Sequence, residues 1–333
     1  MRKPVFAIPF GIGLIAVSQP AWPMVSPPLD TPWNEGAADC KTGSQPPIEV
    51  HPIGPGTFIL RENLCVTFEA PLMYLLVGSA RAMLIDSGDV ADPAQAPLAK
   101  TVLGLLPGEG ASKLPLLVVH THRHLDHRAG DPQFKDLPGV EVVGYDIDSV
   151  RAYYRFANWP DGITQIYLGG RIVDAMPTPG HNPTEVSFYD RNAALFFSGD
   201  FLLPGRLLVE DTAADIASAR RVADFVKDRP ISAVLGGHIE LNADGEAFDF
   251  GSQYHPHEHA LPLAKADLLR LPDALRKFNG FYSVTDGFIM MNQMRNLLAM
   301  ASVAGLVVLG LAVGLWRFIR RRRRRRMAAD QTA

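Results

Sequence analysis

Cysteine is nearly missing from this 333-residue chain, which has only Cys40 and Cys65. A framework of several disulfides is therefore excluded. In an oxidising compartment the two could pair and close a loop across the N-terminal segment, but sequence alone does not show whether their geometry allows it. Repeats and low-complexity tracts are lacking too, apart from one run of arginines. Positive charge is scarce outside that run. The net charge is −3, and removing the eight residues Arg317 and Arg320 to Arg326 together with Asp330 leaves −10 for residues 1–316. So acidic a body repels phosphate, and no nucleic-acid partner is expected. With 47% hydrophobic and 20% charged residues, the chain reads as globular.

Two stretches have no charge at all. Val5 to Val17 follows Arg2 and Lys3 and leads into the proline-rich run Pro20 to Pro28. Residues 1–23 thus read as an export signal, cut near Ser18 or Ala21, or as a retained N-terminal anchor. Leu297 to Trp316 is a run of twenty uncharged residues. As a helix it spans about 30 Å, the hydrocarbon thickness of a bilayer. Residues 297–319 are therefore expected to cross a membrane, and the basic tail 320–333 to stay cytoplasmic, beside anionic lipid heads. Gly310 and Gly314 have the spacing of a helix-dimer motif, although glycine is simply common in membrane helices. Whether the N-terminal segment is cut or kept, the body lies outside the cytoplasm, in the periplasm if the source is bacterial.

Residues 24–50, rich in Pro, Gly and Asp, read as an irregular linker, and residues 51–280 as the catalytic body. Within it, strands are expected at Leu72–Val77 and Ala82–Ile85, joined at Gly78-Ser79, and at Leu116–Val119, Val140–Val143, Ile172–Ala175, Val186–Tyr189, Ala194–Phe197 and Ala233–Leu235. Helices are expected at Ala94–Leu106, Ile147–Phe156, Thr212–Lys227 and, as one or two pieces, Pro262–Phe278. Thr212 is the expected N-cap of the third, with Asp215 in the capping-box position. This order suits an α+β fold, two sheets packed face to face with helices outside.

The chemistry concentrates in His122-Arg123-His124-Leu125-Asp126-His127, directly after a strand. On an extended backbone His122 and His124 point to one side and can grip one ion. Asp126 and His127 then turn towards a second position. Imidazole and carboxylate are the ligands zinc favours in catalytic sites. Three further candidates follow glycine: His181 in Thr178-Pro179-Gly180-His181, Asp200 in Ser198-Gly199-Asp200, and His238 in Gly236-Gly237-His238. A glycine there lets the backbone approach closely.

These four elements, in this order, resemble the metallo-β-lactamase fold superfamily over roughly residues 50–250, and most closely its glyoxalase II-like branch. The resemblance implies an αββα sandwich with metals at one edge. It implies that His122, His124 and His181 hold one zinc, that Asp126, His127 and His238 hold a second, and that Asp200 bridges them; iron or manganese are alternatives to zinc. The implied reaction is attack of a metal-activated hydroxide on an ester, thioester, lactone or amide carbonyl of a small molecule, with Asp126 accepting a proton. Asp86, in Leu84-Ile85-Asp86-Ser87-Gly88, matches a position that supports a ligand histidine from behind; a simple turn residue is the alternative.

Some features depart from that pattern. Asn182-Pro183-Thr184-Glu185 replaces the small residues usual after the third histidine. His120 reads as a packed residue at the strand end. His255, His257 and His259 read as a solvated loop, with a further metal site or a lining of the substrate mouth as the alternatives. Residues 260–280 carry only Lys265, Arg270, Arg276 and Lys277 as basic groups, and the expected compartment suits a glutathione thioester poorly, so the reaction class carries over and that substrate does not. Two rivals remain: a mononuclear-iron sulfur dioxygenase on the same fold, and a non-catalytic membrane module. Oligomeric state is not legible.

Overall fold

A computed structural model describes residues 29, 32–41, 45–110, 113–156 and 158–330. The expected export signal or anchor at 1–23 lies outside these residues. The first sheet comprises β1 (Ile48–Gly54), β2 (Thr57–Glu62), β3 (Leu72–Val77) and β4 (Ala82–Ile85), continued beyond helix α1 (Leu98–Leu105) by β5 (Leu116–Val119) and, beyond the short helix α2 (Asp131–Phe134), by β6 (Val140–Val142). The strands lie in chain order. The first four pair antiparallel and the last three parallel.

Helix α3 (Ile147–Tyr154) leads to β7 (Thr164–Tyr167), β8 (Ile172–Pro177), β9 (Val186–Asp190) and β10 (Leu195–Gly199). With β12 (Ala233–Gly236) these form a second sheet in the order β12-β10-β9-β8-β7. Between β10 and β12 come β11 (Arg206–Leu208) and helix α4 (Thr212–Val226). After β12 come helix α5 (Lys265–Lys277), the hairpin β13 (Tyr282–Thr285) and β14 (Phe288–Met291), and α6 (Gln293–Asp330). β11, β14 and β13 make a third, small sheet.

Period-2 alternation builds the layers. From the first sheet Tyr74, Leu76, Leu117 and Val119 point inward, and from the second Val173, Phe188, Leu195 and Phe197 meet them. Their neighbours Met73, Leu75, Leu116 and Val118 point out to pack Leu98 and Val102 of α1 and Phe134 of α2. On the far side, Phe196 and Val234 pack Ala219, Val222 and Val226 of α4 and Leu268, Leu271 and Leu275 of α5. The i, i+3, i+4 spacing gives each helix one apolar stripe. The result is a helix–sheet–sheet–helix sandwich, as expected.

One expectation changes and two open readings close. The N-cap of α4 is Asp211, whose carboxylate accepts from the backbone N–H of Ala213 and Ala214. Thr212 is the first helical residue, and Asp215 is buried against Gly180 rather than closing a capping box. The Pro262–Phe278 region is a single helix, with Pro272 inside it. Cys40 and Cys65, left open by sequence, are disulfide-bonded. Helix α6 contains a candidate span, Gln293–Arg322, in which an 18-residue window has mean hydropathy 2.4 and is not buried against the body.

Candidate metal centre

The strand ends of both sheets meet at one edge. β5 delivers His122 from the first sheet; β8, β10 and β12 of the second lead into the loops that carry His181, Asp200 and His238. Close approach explains two glycines. A Cβ on Gly237 would stand 2.5 Å from Asp200 Oδ1 and 2.8 Å from His127 Cε1, and one on Gly180 would stand 2.3 Å from Asp215 Oδ1.

All seven expected ligands come together, in two cradles: His122, His124 and His181, and Asp126, His127, Asp200 and His238. In the first, His122 Nε2 lies 2.9 Å from His124 Nδ1 and 3.3 Å from His181 Nε2, and His181 Nε2 lies 3.0 Å from His124 Nδ1. In the second, Asp126 Oδ2 lies 3.3 Å from His127 Nε2 and 3.2 Å from His238 Nε2, and the two imidazole nitrogens are 3.3 Å apart. Ligand atoms on one tetrahedral zinc, each ~2.0–2.1 Å from the ion, stand roughly 3.3 Å apart. Asp200 faces both cradles: Oδ2 is 3.6 Å from His181 Nε2, and Oδ1 is 3.5 Å from His127 Nε2 and 3.7 Å from His238 Nε2. Asp200 Oδ1 is buried without a hydrogen bond. A cation would satisfy it.

The backs of the imidazoles set their protons. His127 Nδ1 meets Asp86 Oδ2 at 2.9 Å, His238 Nδ1 meets the Glu69 carbonyl oxygen at 2.8 Å, and His181 Nδ1 meets the Leu208 carbonyl oxygen at 3.1 Å. A proton donated from Nδ1 to each oxygen leaves the Nε2 lone pair aimed into the cradle, as metal binding requires. Asp86 is held in turn by Thr121, whose N–H donates to Oδ1 at 2.7 Å and whose hydroxyl donates to Oδ2 at 2.9 Å.

Electrostatics agree with cation binding. Burial alone would raise the Asp126 carboxyl, but His127 and His238 beside it hold it well below the usual range. Burial alone would lower His238, but Asp200 and Asp126 push it up to about 10. The second cradle thus gathers positive charge even as protons, and a divalent ion would take their place. In the first cradle, burial and the neighbouring His181 lower His124 to about 4, which keeps its nitrogen free for an ion.

Other side chains fall elsewhere. His120 is buried, with Nε2 2.8 Å from Asp131 Oδ1, as a packed residue. His255 is not solvated: it is buried, stacks on Phe248 and meets Glu258, so the solvated-loop reading fails for it. His257 and His259 join no metal-binding group among the described residues. Sequence reasoning missed the bidentate Arg61–Glu258 pair, and it marked Asn182 only as an unusual residue, without its contact: the amide nitrogen lies 3.0 Å from His124 Nε2. Lys265 bonds the carbonyls of Lys227 and Arg229, Arg270 pairs with Asp267, and Arg276 with Asp273. These three are engaged away from the cradles.

Fold and cradles define a metal-binding enzyme built at the edge of an αββα sandwich. The chain belongs to the metallo-beta-lactamase superfamily, whose family model matches residues 66–238, or 173 of the 333, and it is a metallo-hydrolase. It is similar to the acyl-coenzyme A thioesterase MBLAC2 of Gallus gallus, 25% identical over 236 residues that cover 61% of this chain and 84% of that protein. It is similar to the human protein of the same name, 27% identical over 60% of this chain and 81% of that one. The hydroxyacylglutathione hydrolase of Brucella anthropi is 29% identical over 47% of this chain and 58% of its own length. Among solved structures, a metallo-beta-lactamase from Pontibacter korlensis aligns with TM-score 0.48 and 17% identity, over 69% of this chain and all of that one.

Proposed function

We propose that the chain is a membrane-tethered hydrolase that uses two zinc ions to cleave a small-molecule thioester or a related ester, lactone or amide. The observation that carries this is Asp200, with one carboxylate oxygen directed to each cradle. His122, His124 and His181 would hold one ion, Asp126, His127 and His238 the other, and Asp200 would span them. Bound there, the ions supply Lewis acidity, which acidifies water and polarises a carbonyl oxygen. The protein supplies the rest. Asp86, Glu69 and Leu208 fix three imidazoles by their Nδ1 protons. Asp126 turns Oδ2 to His127 and His238, and its carboxylate would accept the proton that an attacking water gives up. The names of the relatives support thioesters as the substrate class, and the engaged basic groups of α5 argue against a glutathione-specific patch.

The membrane reading rests on α6 and its arginine run. The disulfide, a bond at home in oxidising compartments, supports an extracytoplasmic body with a cytoplasmic tail. On this reading the units are the export signal or anchor 1–23, the arm 24–50, the catalytic body from 51 to 280, the span 297–319 and the tail 320–333.

The test is a panel of ester, thioester, lactone and β-lactam substrates, run on the full chain with zinc supplied and bound metal counted. Two ions per chain with carbonyl hydrolysis is the expected result. One iron with oxygen consumption would replace the reading with sulfur oxidation, and inertness across the panel would favour a non-catalytic module.

A further inference from the structure

Six exposed apolar side chains gather at the base of α6. On the hairpin, Phe281, Tyr282 and Val284 are 48%, 48% and 65% exposed; in the first turns of the helix, Met294, Leu297 and Leu298 are 64%, 62% and 59% exposed. Tyr282 and Val284 alternate with the half-buried Ser283, so β13 turns one face outward. Hairpin and helix are locked together. The backbone N–H of Asn292 and the side-chain amide of Asn296 both donate to the Phe281 carbonyl, each at 3.1 Å. Asn292 Oδ1 accepts from the N–H of Arg295 at 2.9 Å, and Tyr282 pairs with Met291. The Phe281 carbonyl therefore sits against the first turn of the helix, between Asn292 and Asn296, just before the uncharged run begins at Leu297. Asp286 sits at the opposite, turn end of the hairpin. Aromatic side chains at the polar end of an apolar helix are the arrangement of a membrane-interface belt, and a bare patch of this kind marks a contact surface.

The same base reaches the metal centre. β14 pairs in parallel with β11, setting Met291 beside Leu208. Asn292 Nδ2 donates to the Val209 carbonyl at 2.7 Å. The Leu208 carbonyl oxygen in turn meets His181 Nδ1 at 3.1 Å. One strand spacing, about 4.8 Å, and one hydrogen bond thus link the strand that leads into the helix to the imidazole of His181.

We propose that the outward face of the β13–β14 hairpin and the first turns of α6 form a lipid-contacting collar. It seats the catalytic body on the bilayer surface and fixes the height of the metal centre above it. The collar rests on the membrane-tether reading. Its occupant is the phospholipid interface, because the patch is continuous with the one helix whose length and apolarity suit a bilayer among the described residues.

The test uses the full chain in phosphatidylcholine vesicles. One environment-sensitive fluorophore is placed, in separate variants, on Tyr282→Cys, on Val308→Cys in mid-helix, and on Lys100→Cys, an exposed position on α1. The native cysteines are bonded to each other, so each label is unique. Lipids with a nitroxide near the headgroup should quench position 282 at least several-fold more than position 100, and deep nitroxides should quench position 308. Quenching at 308 with 282 no different from 100 would overturn the collar and leave the tether standing. No quenching at either would overturn both. Label-to-label transfer at 282 that rises with copies per vesicle, without lipid quenching, would assign the face to a second copy and overturn the proposal.

Discussion

Asp86→Asn isolates the control of one metal ligand by its proton. Asp86 is 1% exposed and has φ 65, a left-handed conformation that asparagine tolerates. The backbone therefore has no reason to move. Its carboxylate accepts three bonds: Thr121 N–H at 2.7 Å, Thr121 hydroxyl at 2.9 Å and His127 Nδ1 at 2.9 Å. If the amide oxygen keeps Thr121 N–H, an NH2 group faces His127 Nδ1. Two donors then oppose each other unless His127 moves its proton to Nε2, which points that proton into the second cradle and blocks a ligand. Losing a hydrogen bond to a charged group costs about 1.5–3 kcal/mol, and losing such a supporting partner weakens metal binding by about 10–100-fold. The variant should hold the first-cradle ion as the parent does and bind the second about 10–100-fold more weakly. Chelator competition with metal counting reads this directly. Melting should fall by about 2–4 °C for each kcal/mol lost. Unchanged affinity for the second ion would refute the proton argument.

Asp200→Ala should abolish turnover and reduce bound metal while circular dichroism stays near that of the parent; a variant that still binds two ions would break the bridging assignment. Burial holds the Glu62 carboxyl up to about 7, from an ordinary 4.5. The folded state then keeps a proton that the unfolded chain releases, so stability falls as pH rises from about 4.5 to 7, by up to about 3 kcal/mol. Glu62→Gln in metal-free protein should flatten that decline, and parallel urea midpoints for parent and variant across the window would contradict the reading. Replacing both Cys40 and Cys65 by Ser opens a loop of sequence separation 25, and should cost about 3–4 kcal/mol by chain entropy, read as a lower urea midpoint; an unchanged midpoint would mean that the arm is already ordered without the bond.

The candidate ligands were legible because their signals are residue types at fixed spacing. His122, His124, Asp126 and His127 lie within six residues, and His181, Asp200 and His238 each follow a glycine that close packing demands. The sandwich was legible from short apolar runs between turns, such as β3, β5 and β10, whose inward and outward residues are both apolar because both faces are covered. Less legible was whatever depends on backbone or on distance in sequence. The Glu69 and Leu208 carbonyls orient two histidines, but a carbonyl has no letter of its own. Arg61 and Glu258, 197 residues apart, pair at 2.6 Å, and nothing local marks either one. At the start of α4, Asp211 and Thr212 are both able to cap; the extended backbone at Asp211, φ −117 and ψ 94, decides between them. The β13–β14 hairpin is hard to see because its short strands complete a sheet with β11, far back in the chain.

The oxygens that hold the histidines come from different parts of the fold, so the cradle senses more than its own loop. Asp86 follows β4, Leu208 ends β11, and Glu69 lies four residues beyond Cys65. The Cys65 loop is fixed on one side by the disulfide and on the other by the Thr67 hydroxyl, which donates to Asp89 Oδ2 at 2.5 Å. β11 is fixed by β14, and so by the base of α6. Two features that look peripheral in sequence, one disulfide and one apolar helix, therefore each end on a carbonyl that aims an imidazole. Loosening the first should disturb His238 and the second cradle; loosening the other should disturb His181 and the first. Metal counting after reduction, set beside metal counting after replacement of Asn292, separates the two routes. Loss of the same ion in both cases would show that they are not independent.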